Sequence, residues 1–217
     1  MSKRIALIHA LTEAVDPITQ AFLKEWPEAD RVHILDDSLS RDRRKFRDLT
    51  PDMYRRFAEL SSYAQQIGSD AILFTCSAFG EAIETAARTV RIPVLKPNEA
   101  MFEEALQYGK IGMLATFAPS IVPMEQEFND LAKLSGSSAE IRTLCIPEAM
   151  DALKDGDAER HNTLVADRAP ELAGSGAILL AQFSTSRAQQ AVAARVTVPV
   201  LTSPVAAIRK LRRLLQA

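Results

Sequence analysis

Two stretches of this chain are copies of each other, 106 positions apart. Gly68 to Leu95 falls on Gly174 to Leu201, and eleven of twenty-eight positions are identical, where unrelated sequence would give about two. The same offset carries Arg4-Ile5-Ala6-Leu7 onto Lys110-Ile111-Gly112-Met113 and Pro93-Val94-Leu95 onto Pro199-Val200-Leu201. The pattern predicts two halves of one ancestral unit, each repeating the same supersecondary order. A ligand shared by two such halves sits between them. That places Cys76, at the turn after Ala71-Ile72-Leu73-Phe74, opposite its counterpart Gln182.

Each half reads as alternating strand and helix. In the first, strand-like Arg4 to His9 precedes an amphipathic segment with Pro17 near its start and Ile18, Ala21, Phe22 and Trp26 at helical spacing. Val32 to Leu35 follows. Thr50-Pro51-Asp52 then caps a helix whose inward stripe is Met53, Phe57, Leu60 and Ala64, with Gly68 as its stop. Ala71 to Thr75 is apolar throughout, as a parallel strand covered on both faces requires. A helix from Cys76 to about Thr89, a strand at Ile92 to Leu95 and a helix from Pro97 to Tyr108 complete the half. Strands near Lys110 to Ala115, Glu140 to Cys145, Ala177 to Ala181 and Val198 to Leu201 repeat the order, and a last helix runs from Pro204 to Leu215. The expected fold is α/β: two lobes, 1–97 completed by the helix at 204–217, and 98–203, each a short parallel sheet flanked by helices.

Composition limits the function classes. A formal net charge of -2 gives no reason to expect nucleic acid or an anionic membrane as partner. The basic run Arg41 to Asp48 contains acidic residues and little aromatic interleaving, and reads as a solvated face. No apolar run is long enough to span a membrane and no signal-like leader opens the sequence, so a cytoplasmic location is expected. Two cysteines without metal-ligand spacing argue against a disulfide framework and a structural zinc. No glycine-rich phosphate fingerprint is present.

Ligands of parallel sheets collect at the carboxyl ends of the strands. The candidates there are His9, Thr75, Cys76, Ser77, Lys96, Thr116, Gln182, Ser184 and Thr185. A thiol at a helix start gains from the unpaired amides, which lower its pKa and suit it to act as acid, base or nucleophile. The amides of Ser77, Ala78 and Phe79 would cradle a carboxylate. Against this, an unpaired cysteine often serves as a small buried hydrophobe, the reading given to Cys145 within Ile141 to Ile146. Gln182 can donate to a carboxylate or an oxyanion but cannot exchange protons near neutral pH. Ser184-Thr185-Ser186 is either a second anion cradle or the N-cap of the next helix. His9 is either a base at the cleft edge or a strand-end histidine with its partners satisfied. Lys96 and Thr116 qualify as carboxylate partners by position.

Thr75-Cys76-Ser77-Ala78 behind an apolar strand, Lys110-Ile111-Gly112-Met113-Leu114-Ala115-Thr116 opening the second half, and the duplication itself resemble the aspartate/glutamate/hydantoin racemase superfamily. The resemblance covers nearly the whole chain. It implies two flavodoxin-like lobes related by a pseudo-twofold axis, a site in the cleft, no cofactor, no metal and a small carboxylate or amino acid as substrate, and it leaves self-association open. It also implies an isomerase that inverts its substrate with two cysteines, the first at the position of Cys76. Ser77 and Ala78 match the carboxylate-binding residues after that cysteine, and Thr116 the threonine of the second lobe. Gln182 stands at the second cysteine's position, leaving one thiol. Single-cysteine decarboxylases of the superfamily supply the alternative reaction, and a carboxylate-binding protein without turnover a third.

Overall fold

The computed structural model describes residues 2–46 and 48–216. The first lobe is built from β1 (Arg4–His9), α1 (Val15–Glu25), β2 (Asp30–Leu35), α2 (Ser38–Arg43), α3 (Pro51–Gln66), β3 (Ala71–Phe74), α4 (Gly80–Ala87), β4 (Val94–Leu95) and α5 (Glu99–Ala105). The second contains β5 (Lys110–Ala115), α6 (Ile121–Leu134), β6 (Glu140–Cys145), α7 (Pro147–Lys154), α8 (Ala158–Arg168), β7 (Ala177–Leu180), α9 (Gln189–Ala193), β8 (Val200–Thr202) and α10 (Ser203–Gln216). Two parallel sheets result, in strand orders β2-β1-β3-β4 and β6-β5-β7-β8.

The repeat is visible in the registers. Ile5 lies opposite Ala71 and Ile111 opposite Ala177; Ile72 lies opposite Val94 and Ile178 opposite Val200. Each pairing maps onto its partner by the sequence offset. The edge strands β2 and β6 depart from it: Arg4 pairs with Asp30 but Lys110 with Glu140, so four extra residues enter between β5 and β6.

Local chemistry places the elements. Thr50 accepts a hydrogen bond from the Met53 amide, and Pro51 occupies the first turn of α3. The buried stripe of α3 is Met53, Phe57, Ser61 and Ala64, with Leu60 only partly covered. Gly68 turns the chain at φ +76° into β3. Along β3, Ile72 and Phe74 pack toward Phe57 and Phe79, while Ala71 and Leu73 face the core of α1. The predicted continuous helix after Cys76 is instead a 3-10 turn, Ser77–Phe79, followed by α4, which ends at Ala87.

The lobes exchange a helix. Ala100, Met101, Phe102 and Ala105 of α5 pack with Ile111, Met113 and Leu179 of the second sheet. Ala207, Ile208 and Leu211 of α10 pack with Ile5, Leu7 and Leu73 of the first. Phe183 of the second lobe also sits in that first core. Among the described residues no helix is long and apolar enough to cross a membrane, and no group of three or more His, Cys, Asp or Glu side chains could hold a metal ion.

Phe57 stacks on Phe74 at 4.9 Å between centroids and meets Phe79 at 4.8 Å, joining α3 to the sheet and to the turn after Cys76. Phe57→Ala is expected to cost about 3–5 kcal/mol, measured by urea unfolding, and to loosen the Cys76 turn.

Candidate active site

The two turns that follow the third strand of each sheet end at the lobe interface. Ser77–Phe79 packs against the 3-10 turn Ala118–Ser120 and against α6; Ser184–Ala188 packs against α1. Arg187 donates to the Glu13 carbonyl across the interface at 3.1 Å. The Cys76 and Gln182 turns thus each abut an element of the opposite lobe.

A small cavity opens beside Cys76. Leu11, Ser40, Arg44, Cys76 and Phe79 line it from the first lobe, and Phe117, Met150 and Lys154 from the second. Its volume is about 10 Å³, room for roughly one water. A larger ligand needs the lobes to part.

Cys76 caps the 3-10 turn with extended backbone and no side-chain hydrogen bond to it, though the nearby Ala78 amide favours the thiolate. Burial dominates all the same: the thiol is pushed up from 9.0 to about 11, against the lowering effects of that amide and the Arg43 guanidinium. This corrects the expectation of a depressed pKa. A three-residue turn offers a single amide, too little to offset desolvation. The residue keeps part of its surface exposed toward the cavity. Cys145, at the end of β6, is half-buried and is likewise raised, by burial and by Glu148.

The basic run is not simply a solvated face. Arg43 is buried and donates to the Ala78 carbonyl at 3.1 Å and to the Phe46 carbonyl at 2.7 Å, bracing the turn beneath Cys76. Arg44 reaches the cavity, while Arg41 and Lys45 pair locally with Asp37 and Asp42. Arg47 of the run lies outside the described residues. Neither Arg44 nor Lys154 forms an ion pair among the described residues, and both, from opposite lobes, contribute to the cavity's lining.

The other predicted residues divide into three groups. Gln182 is buried in a network of its own lobe: its Oε1 accepts from the Thr116 amide (2.9 Å), Thr116 Oγ1 (3.3 Å) and Thr185 Oγ1 (3.1 Å), and its Nε2 donates to Ser120 Oγ (2.8 Å). It does not line the cavity. Ser184 Oγ is buried nearby without a hydrogen-bond partner among the described residues. Lys96 bridges Glu84 (2.7 Å) and Glu127 of the second lobe (3.1 Å); burial pulls its ammonium down, but the carboxylates outweigh this and hold it above the usual lysine range. His9 and Thr75 form the third group. His9 is fully buried, with Nδ1 2.8 Å from Thr75 Oγ1 and Nε2 2.9 Å from His33 Nδ1. Burial, with His33 adding to it, lowers its pKa to about 3, so the ring is neutral.

The sequence over residues 10–211 matches the family model Asp/Glu/Hydantoin racemase. The chain belongs to that family. No curated protein matches it significantly. Among solved structures, a glutamate racemase isoform from Bacillus anthracis superposes with a TM-score of 0.80 at 14% identity, covering 99% of this chain and 82% of its own. An aspartate racemase homologue from Pyrococcus horikoshii gives 0.68 at 18%, covering 100% of both chains. A mutant of arylmalonate decarboxylase in its sulfate-associated form gives 0.66 at 16%, covering 99% of this chain and 94% of its own. These likenesses establish the two-lobed racemase-family fold. Of the cavity's lining, Cys76 and Phe79 are among the residues read from the sequence, whereas Arg44, Met150 and Lys154 carry no local signal.

Alkylation by iodoacetamide checks the thiol. Cys76 should react slowly at pH 7, with a rate rising about tenfold per pH unit toward pH 11; a plateau below pH 9 would contradict burial as the controlling influence.

Proposed function

We propose that this racemase-family protein is a cofactor-independent enzyme that handles a proton at the carbon beside a carboxylate of a small dianionic substrate, a dicarboxylate or acidic amino acid. Cys76 delivers that proton to one face. The observation that carries this reading is the cavity itself, whose lining contains a single thiol together with Arg44 and Lys154, contributed by opposite lobes and without an ion pair among the described residues.

A thiol held protonated at neutral pH is suited to act as the acid that quenches a carbanion. A bound anion beside it disfavours the thiolate further. Arg44 and Lys154 would neutralise the substrate's charge and draw the lobes together. The apolar wall of Leu11, Phe79, Phe117 and Met150 strengthens those contacts by excluding water. Inversion through two bases needs a second donor on the opposite face, and the engaged amide of Gln182 supports one-faced chemistry. Loss of carbon dioxide from a 2-substituted malonate, followed by protonation of the resulting carbanion, fits one acid. The Asp/Glu racemases and the decarboxylase among the structural neighbours keep both carbanion reactions in view.

The test is a panel in deuterium oxide: carbon dioxide release from 2-methyl- and 2-phenylmalonate, and α-proton exchange in both enantiomers of aspartate and glutamate. Solvent deuterium should enter with one handedness. Cys76→Ala should abolish turnover, and Arg44→Ala or Lys154→Ala should each raise KM about tenfold or more, the loss of one charge-assisted contact. Efficient inversion of either amino acid by the unmodified protein would sink the one-faced reading.

A further inference from the structure

We infer, on the reading that the site binds a small substrate through two carboxylates, that the cavity beside Cys76 selects a dicarboxylate whose reacting carbon carries an apolar substituent and rejects one that carries an ammonium there. Of the two substrate classes named above, the acidic amino acids are then the ones excluded.

The charges on the cavity's walls are of one sign. Arg44 of the first lobe and Lys154 of the second line it, and no carboxylate of the described residues does. The acidic residues on the surrounding elements are engaged elsewhere. Asp36 and Asp42 pair with Arg56, Asp37 with Arg41, and Glu84 and Glu127 with Lys96. Glu81 accepts from the Tyr54 hydroxyl and Glu13 from that of Thr12. Glu148 and Asp151 of α7 are exposed and lie outside the lining. Ser40 contributes a neutral hydroxyl, which can accept a hydrogen bond but cannot balance a charge.

A dicarboxylate with two negative charges matches Arg44 and Lys154 one for one. An acidic amino acid brings the same two carboxylates and an ammonium besides, so its complex holds a third cation with no anion left to pair with it. That ammonium is attached to the reacting carbon and therefore sits beside Cys76, where the closed walls leave room for about one water and an unpaired charge is most costly. A methyl or larger apolar group on the same carbon meets Leu11 and Phe79 from one lobe and Phe117 and Met150 from the other, and its burial is favourable. Rigid parting of the lobes to admit a ligand widens the gap without changing which side chains face it, so the charge balance holds when the site is filled.

Isosteric pairs read the selection directly: methylsuccinate is aspartate with a methyl in place of the ammonium, and 2-methylmalonate is aminomalonate with the same exchange. Calorimetric titration of the unmodified protein near neutral pH with both enantiomers of methylsuccinate and of aspartate should give a Kd at least about tenfold lower for the better methylsuccinate than for either aspartate, the separation expected when one ammonium faces cations without a counter-charge. In turnover, kcat/KM should favour methylmalonate over aminomalonate in the same sense. Lys154→Met, at the exposed end of α7, removes one cation and should shrink the ratio of the two Kd values severalfold, weakening methylsuccinate more than aspartate. An aspartate enantiomer that binds within twofold of methylsuccinate, or more tightly, would overturn the selection and leave the two-carboxylate reading intact. So would a ratio that Lys154→Met leaves unchanged. If no member of either pair binds or turns over, the underlying reading fails, and the selection with it.

Discussion

The burial of the turn after each lobe's third strand against the other lobe is the constraint on which this structure depends. A parallel sheet leaves the carboxyl ends of its strands open, and here each sheet is closed there by its twin. Ser77–Phe79 meets the second lobe and Ser184–Ala188 meets the first. The same contact makes the cavity and excludes solvent from it. Burial dominates the Cys76 thiol and raises its pKa, and residues of both lobes line the cavity beside it.

Duplication gave the two sides identical frames, and their chemistry then diverged. At one turn a thiol faces the cavity; at the equivalent turn an amide is spent on Thr116, Thr185 and Ser120. Gln182 holds its own lobe's strand ends together, a structural duty that a cysteine could not perform with three donors and an acceptor to satisfy. The asymmetry of the reaction proposed above follows from this division of labour.

Much of the frame is legible in the sequence because the signals are local. β1, β5 and β6 begin and end where apolar runs predict, and the pairings of the inner strands, β1 with β3 and β5 with β7, follow the repeat offset. Thr50-Pro51 starts α3 as its chemistry requires. The site is legible only where it lies inside the repeat. Cys76 is found because its position is duplicated. Arg44 follows the last residue of α2 and Lys154 ends α7, around the edge strands where the offset breaks, and their convergence depends on how the lobes dock. The direction of the Cys76 shift was misread for the same reason: a helix start can be seen in a sequence, whereas the burial that outweighs it cannot. Arg43, buried under Ala78 within a run that looks solvated, is a third case.

The reciprocal placement of α5 and α10 bears on how such a chain acquires its structure. The first sheet's core is closed by Ala207, Ile208 and Leu211, which emerge about two hundred residues after β1 during synthesis. Until then the Ile5, Leu7 and Leu73 face has no complete cover. Contacts of such wide sequence separation are slow to form, and unfinished α/β lobes with bare apolar faces are prone to associate. The two halves are thus one cooperative unit despite their common ancestry, and a cut between them would yield two sheets each missing a wall.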